Sequence, residues 1–357
     1  MEIVRNWLRR TFSDPQIVIL VGLLLVVSLI VVFTAQRLVP VFASLIIAYL
    51  LYPAVRALGR LGLGHITAVV SVFLVFLALL ALSIFWLLPL LLQQLTQFGQ
   101  QIPGMLLAAQ AALMRLPEQY PNYISEREVA QFLAALRTEV VALSQALLTY
   151  SLASVVGAVT LLVYLVVMPV LVFFFLKDRA RILDWLSGFL PSKRELAGQV
   201  WHEVERQIGN YVRGKAVEVV IVAAVTFVVF AMLGLRYAEL LAAVTGLSVV
   251  VPYVGAAVVT LPVALVAYAQ WGLGDGFVYA LLAYAIIQAL DGNLLAPLLL
   301  GDAVNLHPVA VIVAILLFGS LWGFWGVFFA IPLATVIHAV IRAWPRAPEA
   351  GPAPHVS

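Results

Sequence analysis

Long apolar stretches, not alternating or heptad patterns, dominate this chain. One runs from about Gln16 to Thr34 without a charge, a shorter piece from Leu38 to Leu51 lies between Pro40 and Pro53, and a third covers about Ile66 to Leu92 before the glutamine-rich QQLTQFGQQIPG. A fourth extends from about Ser151 to Leu176 and stops at the charge onset of VLVFFFLKDRARI, and Glu218 to Leu235 makes a fifth. A hydrocarbon core about 30 Å thick takes about 20 apolar residues per helix, so each long stretch predicts a crossing. The short second piece predicts either a crossing or a shallow dip.

Two further stretches have a different texture. Leu240 to Gly274 is 35 residues without charge, broken at VVVPYVGAAVVTLPV, and Ala303 to Ile341 is 39, broken at FGSLWGFWG. Each is too long for one straight crossing. Either each is a single tilted span, for eight transmembrane helices in all, or each is a re-entrant hairpin. VGAAVVTLPVALV (254–266) and WGVFFAIPLATV (325–336) share an early glycine, a later proline and an apolar helix beyond, with Gly255 paired to Pro262 and Gly326 to Pro332. If the spans that precede the two runs point in opposite directions, 214–274 and 275–342 form an inverted repeat, a plan used by many secondary transporters. The plain alternative is that Gly and Pro are commoner in membrane helices than in soluble ones.

Between these runs the pattern turns amphipathic. In 93–148, Ser125 and Glu128 form a capping box ahead of Val129, Phe132, Leu133, Leu136 and Val140 at helical spacing, which predicts a small helical insert outside the bilayer. Residues 177–213 read as a basic amphipathic segment with Trp185 and Trp201 at headgroup depth, and 343–357 as a disordered tail. The basic N-terminus lacks a small-residue cleavage site and reads as a retained anchor within an N-terminal membrane region, 1–92; the fourth span closes 149–176. With the N-terminus cytoplasmic, 15 of the 20 Lys and Arg fall inside and Arg37, Arg115, Arg127, Arg137 and Arg236 outside. That bias puts both termini in the cytoplasm and the insert outside.

Composition sharpens the class. With 64% hydrophobic and 10% charged residues, against about half and a quarter in ordinary globular domains, the chain is an all-α polytopic transmembrane protein of about six to eight membrane segments. A net charge of +3 with the basic residues between the runs gives no nucleic-acid surface. The absence of cysteine removes disulfides, thiolate metal sites and cysteine nucleophiles.

Few motifs carry chemistry. GNYVRGK (209–215) fits G-x-x-x-x-G-K, but Ala216 follows where a phosphate loop needs Ser or Thr, and no strand precedes it. Lys215 reads instead as a snorkelling interfacial lysine, with Glu218 one turn on as its partner or a second interfacial charge. WHEVER lacks the second histidine of a zinc protease, and GSLWG (319–323) fits either a close helix contact or a hairpin turn. His307 reads as interfacial and His338 as packed. No catalytic constellation appears, no cofactor or metal is called for, and an enzyme is the least fitting class. The polar group in IIQALDGN (286–293) has two readings. Asp-Gly marks a loop end, leaving Asp291 outside, or Gln288, Asp291 and Asn293 line a cavity at an unwound helix break.

FFFLKD (173–178), YVRGK before the fifth span, Leu233-Gly234, VPYVGA (251–256), the 288–297 segment, LHP (306–308) and WGVFFAIPL (325–333), in this order, resemble the autoinducer-2 exporter family of bacterial permeases. Where that family often carries Glu in an E-x-N element this sequence has Asp291-Gly292-Asn293, and where Gln often follows the glycine before the fifth span it has Lys215. The resemblance implies a multi-pass inner-membrane transporter without its own ATPase, exporting the furanone signal autoinducer-2, or exchanging sodium or lithium against protons. On that reading Asp291 is the carboxylate or ligand, Gln288 and Asn293 are polar contacts, and Thr245, Ser248 and the carbonyls of Pro252 and Pro262 are further oxygens. Gly255 and Gly326 are close-approach positions, Pro252, Pro262 and Pro332 helix breakers, and alternating access turns on a midplane site. A sodium or lithium/proton antiporter is the nearest alternative; a membrane scaffold that recruits a partner through its insert, and a passive channel, are others. The partners are the lipid bilayer, a small solute, a coupled ion and, through small-residue contacts, further copies of the chain.

Overall fold

A computed structural model describes residues 38–114, 155–188, 195–252, 254–301 and 307–343. Among them every regular element is helical. Among the described residues, five helical segments are long and apolar enough to cross a membrane: Val39–Arg60, His65–Met105, Glu205–Met232, Val254–Trp271 and Asp275–Leu300. Large apolar side chains such as Phe85, Leu74 and Leu298 stand exposed along them, which suits a bilayer and not water. The capping box at Ser125 and Glu128, the first span and the tail lie outside the described residues.

The chain divides into two compact units: Val39–Ile182 with Val212–Leu300, and Met1–Leu38 with Leu183–Tyr211 and Gly301–Ser357. In the first unit, helix α1 (Val39–Arg60) keeps Pro53 inside it. Its 22 residues reach about 33 Å at 1.5 Å per residue, enough to cross, because a proline in a membrane helix is tolerated where neighbours meet the freed carbonyl. It packs on α2 (His65–Leu82) and α4 (Val155–Lys177) through Ala48, Val55, Ala68, Val69, Val72, Val172 and Leu176. The Ser44 hydroxyl donates within α1 to the Pro40 carbonyl and lies 3.2 Å from the Met168 carbonyl of α4.

The glutamine-rich stretch does not end its helix. A wide π-type turn, Ser83–Leu87, leads straight into α3 (Leu88–Leu113). The reason is visible at Gln94, whose amide finds partners in another element and so gains more by staying helical. Its Oε1 accepts from Leu240 N at 3.0 Å and its Nε2 donates to Glu239 at 2.8 Å.

Those partners begin the first broken run. After the short α5 (Arg179–Gly188), the long α6 (Glu195–Met232) gives way to α7 (Ala238–Ser248), a break, and α8 (Val254–Trp271). The two arms form a hairpin, because its ends meet. Gln270, at the far end of α8, accepts from Arg236 N and donates to the Gly234 carbonyl just before α7, both at 2.8 Å. Gly234, at φ 67°, makes the turn out of α6, and Tyr237 is held at φ 58° with its ring edge-on to Phe98. Phe98, Ile102 and Met105 of α3, Phe230 of α6, Leu240 and Leu241 of α7, and Val263 and Val266 of α8 share one core.

The second unit carries the other broken run. His307 Nδ1 accepts from Val309 N to start α11 (Pro308–Trp322), Gly323 turns the chain at φ 59°, and α12 (Phe324–Phe328) and α13 (Ala330–Ala343) return along it. Phe318 and Ala314 of the outgoing arm pack on Ala330 of the returning one, with Leu333 and Ala334 beside them. GSLWG therefore serves both of its readings: Gly323 is the turn, and Gly319 faces Val327 across it.

Candidate transport site

Each hairpin is closed by one glycine. A Cβ on Gly255 would stand 1.8 Å from the Ser248 carbonyl oxygen, seven residues earlier, and one on Gly326 would stand 1.8 Å from that of Phe318, eight residues earlier. Both are contacts of returning-arm backbone on the last turn of the outgoing arm. Pro252 sits at the first tip, where Val254 N donates to its carbonyl at 2.7 Å. Pro262 lies inside α8 without ending it. Pro332 is buried in the first turn of α13, where no intrahelical donor is required of it, and its carbonyl accepts from the Thr335 hydroxyl at 2.7 Å.

The sequence around Asp291 is neither a loop end nor an unwound break. α9 (Asp275–Leu290) continues through a π-type turn, Asp291–Leu295, into α10 (Ala296–Leu300). Ala296 N donates to the Asp291 carbonyl, and the widened turn is completed by the Asn293 side chain, which donates to the Ala289 carbonyl at 2.8 Å. Such turns insert a residue into a helix and recur at functional sites. Asp291 is 9% exposed, and its Oδ1 is buried with no partner. Gln288, one turn earlier, is half-buried with its amide nitrogen unpartnered, whereas Asn293 is exposed. Tyr284, a further turn back, donates to the Ala256 carbonyl of α8 at 2.7 Å.

Near Asp291 is an ion pair, and it is buried instead of lying at the membrane surface. Lys215 does not snorkel: it is 4% exposed and Glu218 is 1% exposed. The Lys215 Nζ donates to Glu218 Oε1 at 2.7 Å and to the Val249 carbonyl, at the tip of the first hairpin, at 2.8 Å. Asp291 is near enough to interact electrostatically with both residues. Close backbone approach brings the three elements together. A Cβ on Gly214 would meet the Leu299 carbonyl oxygen of α10 at 2.7 Å, and one on Gly246 would meet the Val219 carbonyl oxygen of α6 at 2.7 Å. Val222, Val249 and Ile287 form the apolar surround. GNYVRGK lies wholly within α6, so it has none of the loop that holds a phosphate. The signal for the pair was present as opposite charges three residues apart beside a glycine, but a charge at the start of an apolar run looks the same whether it is interfacial or buried.

Thr245 and Ser248 turn their hydroxyls onto carbonyls of their own helix, Leu241 and Thr245, both at 2.7 Å. The oxygens of this centre without a partner are therefore those of Glu218 and Asp291. Among the described residues no group of three His, Cys, Asp or Glu could hold a metal ion.

The apolar helices, long enough to cross a bilayer and carrying exposed apolar side chains, define a polytopic helical membrane protein. The chain belongs to the AI-2E transporter family, whose pattern, described as AI-2E family transporter, matches residues 3–346. It is 44% identical over 346 residues, 97% of this chain and 98% of the relative, to PerM of Escherichia coli (strain K12), named as a candidate permease. It is 25% identical over 343 residues, 93% of each chain, to the AI-2 transport protein TqsA of the same strain. It is 24% identical over 313 residues, 85% of each, to YrrI of Bacillus subtilis (strain 168), named as a candidate transport protein. Its role is transport of a small solute in a bilayer and not catalysis.

Proposed function

We propose that the protein is an inner-membrane secondary transporter that exports a small polar solute, with both termini in the cytoplasm, and that a proton or another monovalent cation couples to the export at Glu218 and Asp291. One observation carries this reading: a buried ammonium is bonded to one buried carboxylate, a second buried carboxylate is near enough to interact with both, and each carboxylate keeps an oxygen without a partner. With all three ionised the cluster holds one net negative charge in an apolar setting. Removing ions from water costs several kcal/mol each unless they are paired, so a third charge of this kind is retained where a cation comes and goes. The α7–α8 hairpin supplies the movable element, since its tip meets the cluster at a single carbonyl. The matching glycine contacts of the two hairpins support an internal repeat. The name of TqsA makes autoinducer-2 the first solute to try.

The test is efflux of autoinducer-2 from loaded proteoliposomes under an imposed pH gradient, with native protein and Asp291→Asn. Gradient-dependent efflux that the variant loses supports the reading. Efflux unchanged by the substitution removes Asp291 from the mechanism, and efflux without any dependence on the gradient leaves a passive pore. Sodium or lithium that abolishes the gradient dependence would make an alkali cation the coupled ion.

A further inference from the structure

The Lys215 ammonium has two bonds, and only one is explained by charge balance. The other reaches 34 residues along the chain to the Val249 carbonyl. That carbonyl follows the last residue of α7, where the helix dipole is negative and backbone oxygens lack intrahelical donors. The neighbouring oxygens are already met: Thr245 by the Ser248 hydroxyl, Leu247 by Val250 N, and Ser248 by Val251 N. The other packing between α6 and this arm, Gly246 on Ala223 and Val219, Phe230 in one core with Leu240 and Leu241, and Val222 in one core with Val249, is van der Waals contact without direction.

We propose that Lys215 is a positioning residue, a tethered cation that pins the tip of the α7–α8 hairpin to α6 and releases it when a cation settles on the carboxylates beside it. The ammonium is shared between Glu218 and the tip. An incoming positive charge on the free Glu218 or Asp291 oxygens weakens its hold on Glu218 and repels it, so the cluster and the tip cannot change independently. Among the described residues, the titratable groups that interact with the ammonium are Glu218 from α6 and Asp291 from the turn after α9, and the hairpin arm contributes the Val249 carbonyl. The inference rests on the proposed transport site for its purpose, but its test needs no cargo, so either can fail alone.

The chain has no cysteine, which makes the tip directly readable. Val251→Cys, at the tip, and Leu273→Cys, in the exposed turn after α8, are each labelled with a water-soluble maleimide in detergent. Loss of a hydrogen bond to a charged group predicts a tip labelling rate about tenfold higher or more in Lys215→Met, which keeps the length and loses the charge, with the Leu273→Cys rate unchanged. Lys215→Arg restores slow tip labelling. A native tip rate in Lys215→Met overturns the proposal, as does an equal rise at both cysteines, which means general loosening. If Lys215→Met does not fold, Glu218→Gln decides: a selective rise at the tip supports the tether, and a native rate or an equal rise at both positions refutes it.

Discussion

Gly255→Ala is the most demanding change the fold allows to be stated in numbers. The added methyl would begin 1.8 Å from the Ser248 carbonyl oxygen, 2.6 Å from its carbon and 3.1 Å from its Cα. Ordinary contact starts near 3.4 Å, so the arms of the hairpin must part by about 1.6 Å, and the obstacle is backbone, which cannot rotate aside. Overpacking a core costs about 1–3 kcal/mol when side chains yield. With backbone on both sides the cost is about 3–5 kcal/mol, within the range that marks a specific structural fault. Parting the arms also strains the Val249 bond to Lys215. The assay is the fraction of detergent-solubilised protein that stays monodisperse after heating, and a fall of about 5–10 °C in the midpoint is expected. Gly104→Ala is the control: it is also helical, nothing lies within 4 Å of its added carbon, and it gains about 0.5–1 kcal/mol from the lost backbone freedom. A Gly255→Ala midpoint equal to that of Gly104→Ala would refute the close contact and the hairpin built on it.

Other consequences follow from the same geometry. Gly326→Ala, whose added carbon meets the Phe318 carbonyl at the same 1.8 Å, lowers the midpoint comparably, and a neutral result would show that the two hairpins are not built alike. Gln94→Ala removes both side-chain bonds from α3 to the start of α7 and costs about 1–3 kcal/mol, read as a lower midpoint and faster proteolysis of the hairpin base. Gln270→Ala unties the two ends of the hairpin but acts in an exposed position, for about 0.5–1.5 kcal/mol; a loss as large as that of Gly255→Ala would contradict this ranking.

The membrane-helical class and the two interrupted runs were legible because an apolar run of 35 residues cannot be one straight crossing. Hairpins and spans were not separable from the pattern. What decides between them is the meeting of Gln270 with Gly234 and Arg236, 34 or more residues apart in sequence. Gly255 and Gly326 stood out by spacing, while the atoms they approach did not. Local turn chemistry misled at Asp291-Gly292-Asn293. There the helix keeps its bonding by widening one turn and using the Asn293 amide, so the dipeptide that ends soluble helices does not end this one. Lys215 and Glu218 were misplaced for a related reason: burial of an ion pair depends on what packs over it, here the hairpin tip and α10, and neither is adjacent in sequence. Gln94 of α3 carried no hydrophobic signal because it bonds to Leu240 N and Glu239 of another helix.

The central claim is that the buried cluster couples cation movement to solute movement. The most direct measurement is proton flux into proteoliposomes holding a trapped pH dye, recorded as autoinducer-2, sodium or lithium is added to native protein and to Asp291→Asn. The account predicts a proton signal evoked by one of these in the native protein and its loss in the variant. A variant that responds as the native one does would contradict it, as would a native protein that moves no protons with any of them and whose solute efflux follows no sodium or lithium gradient.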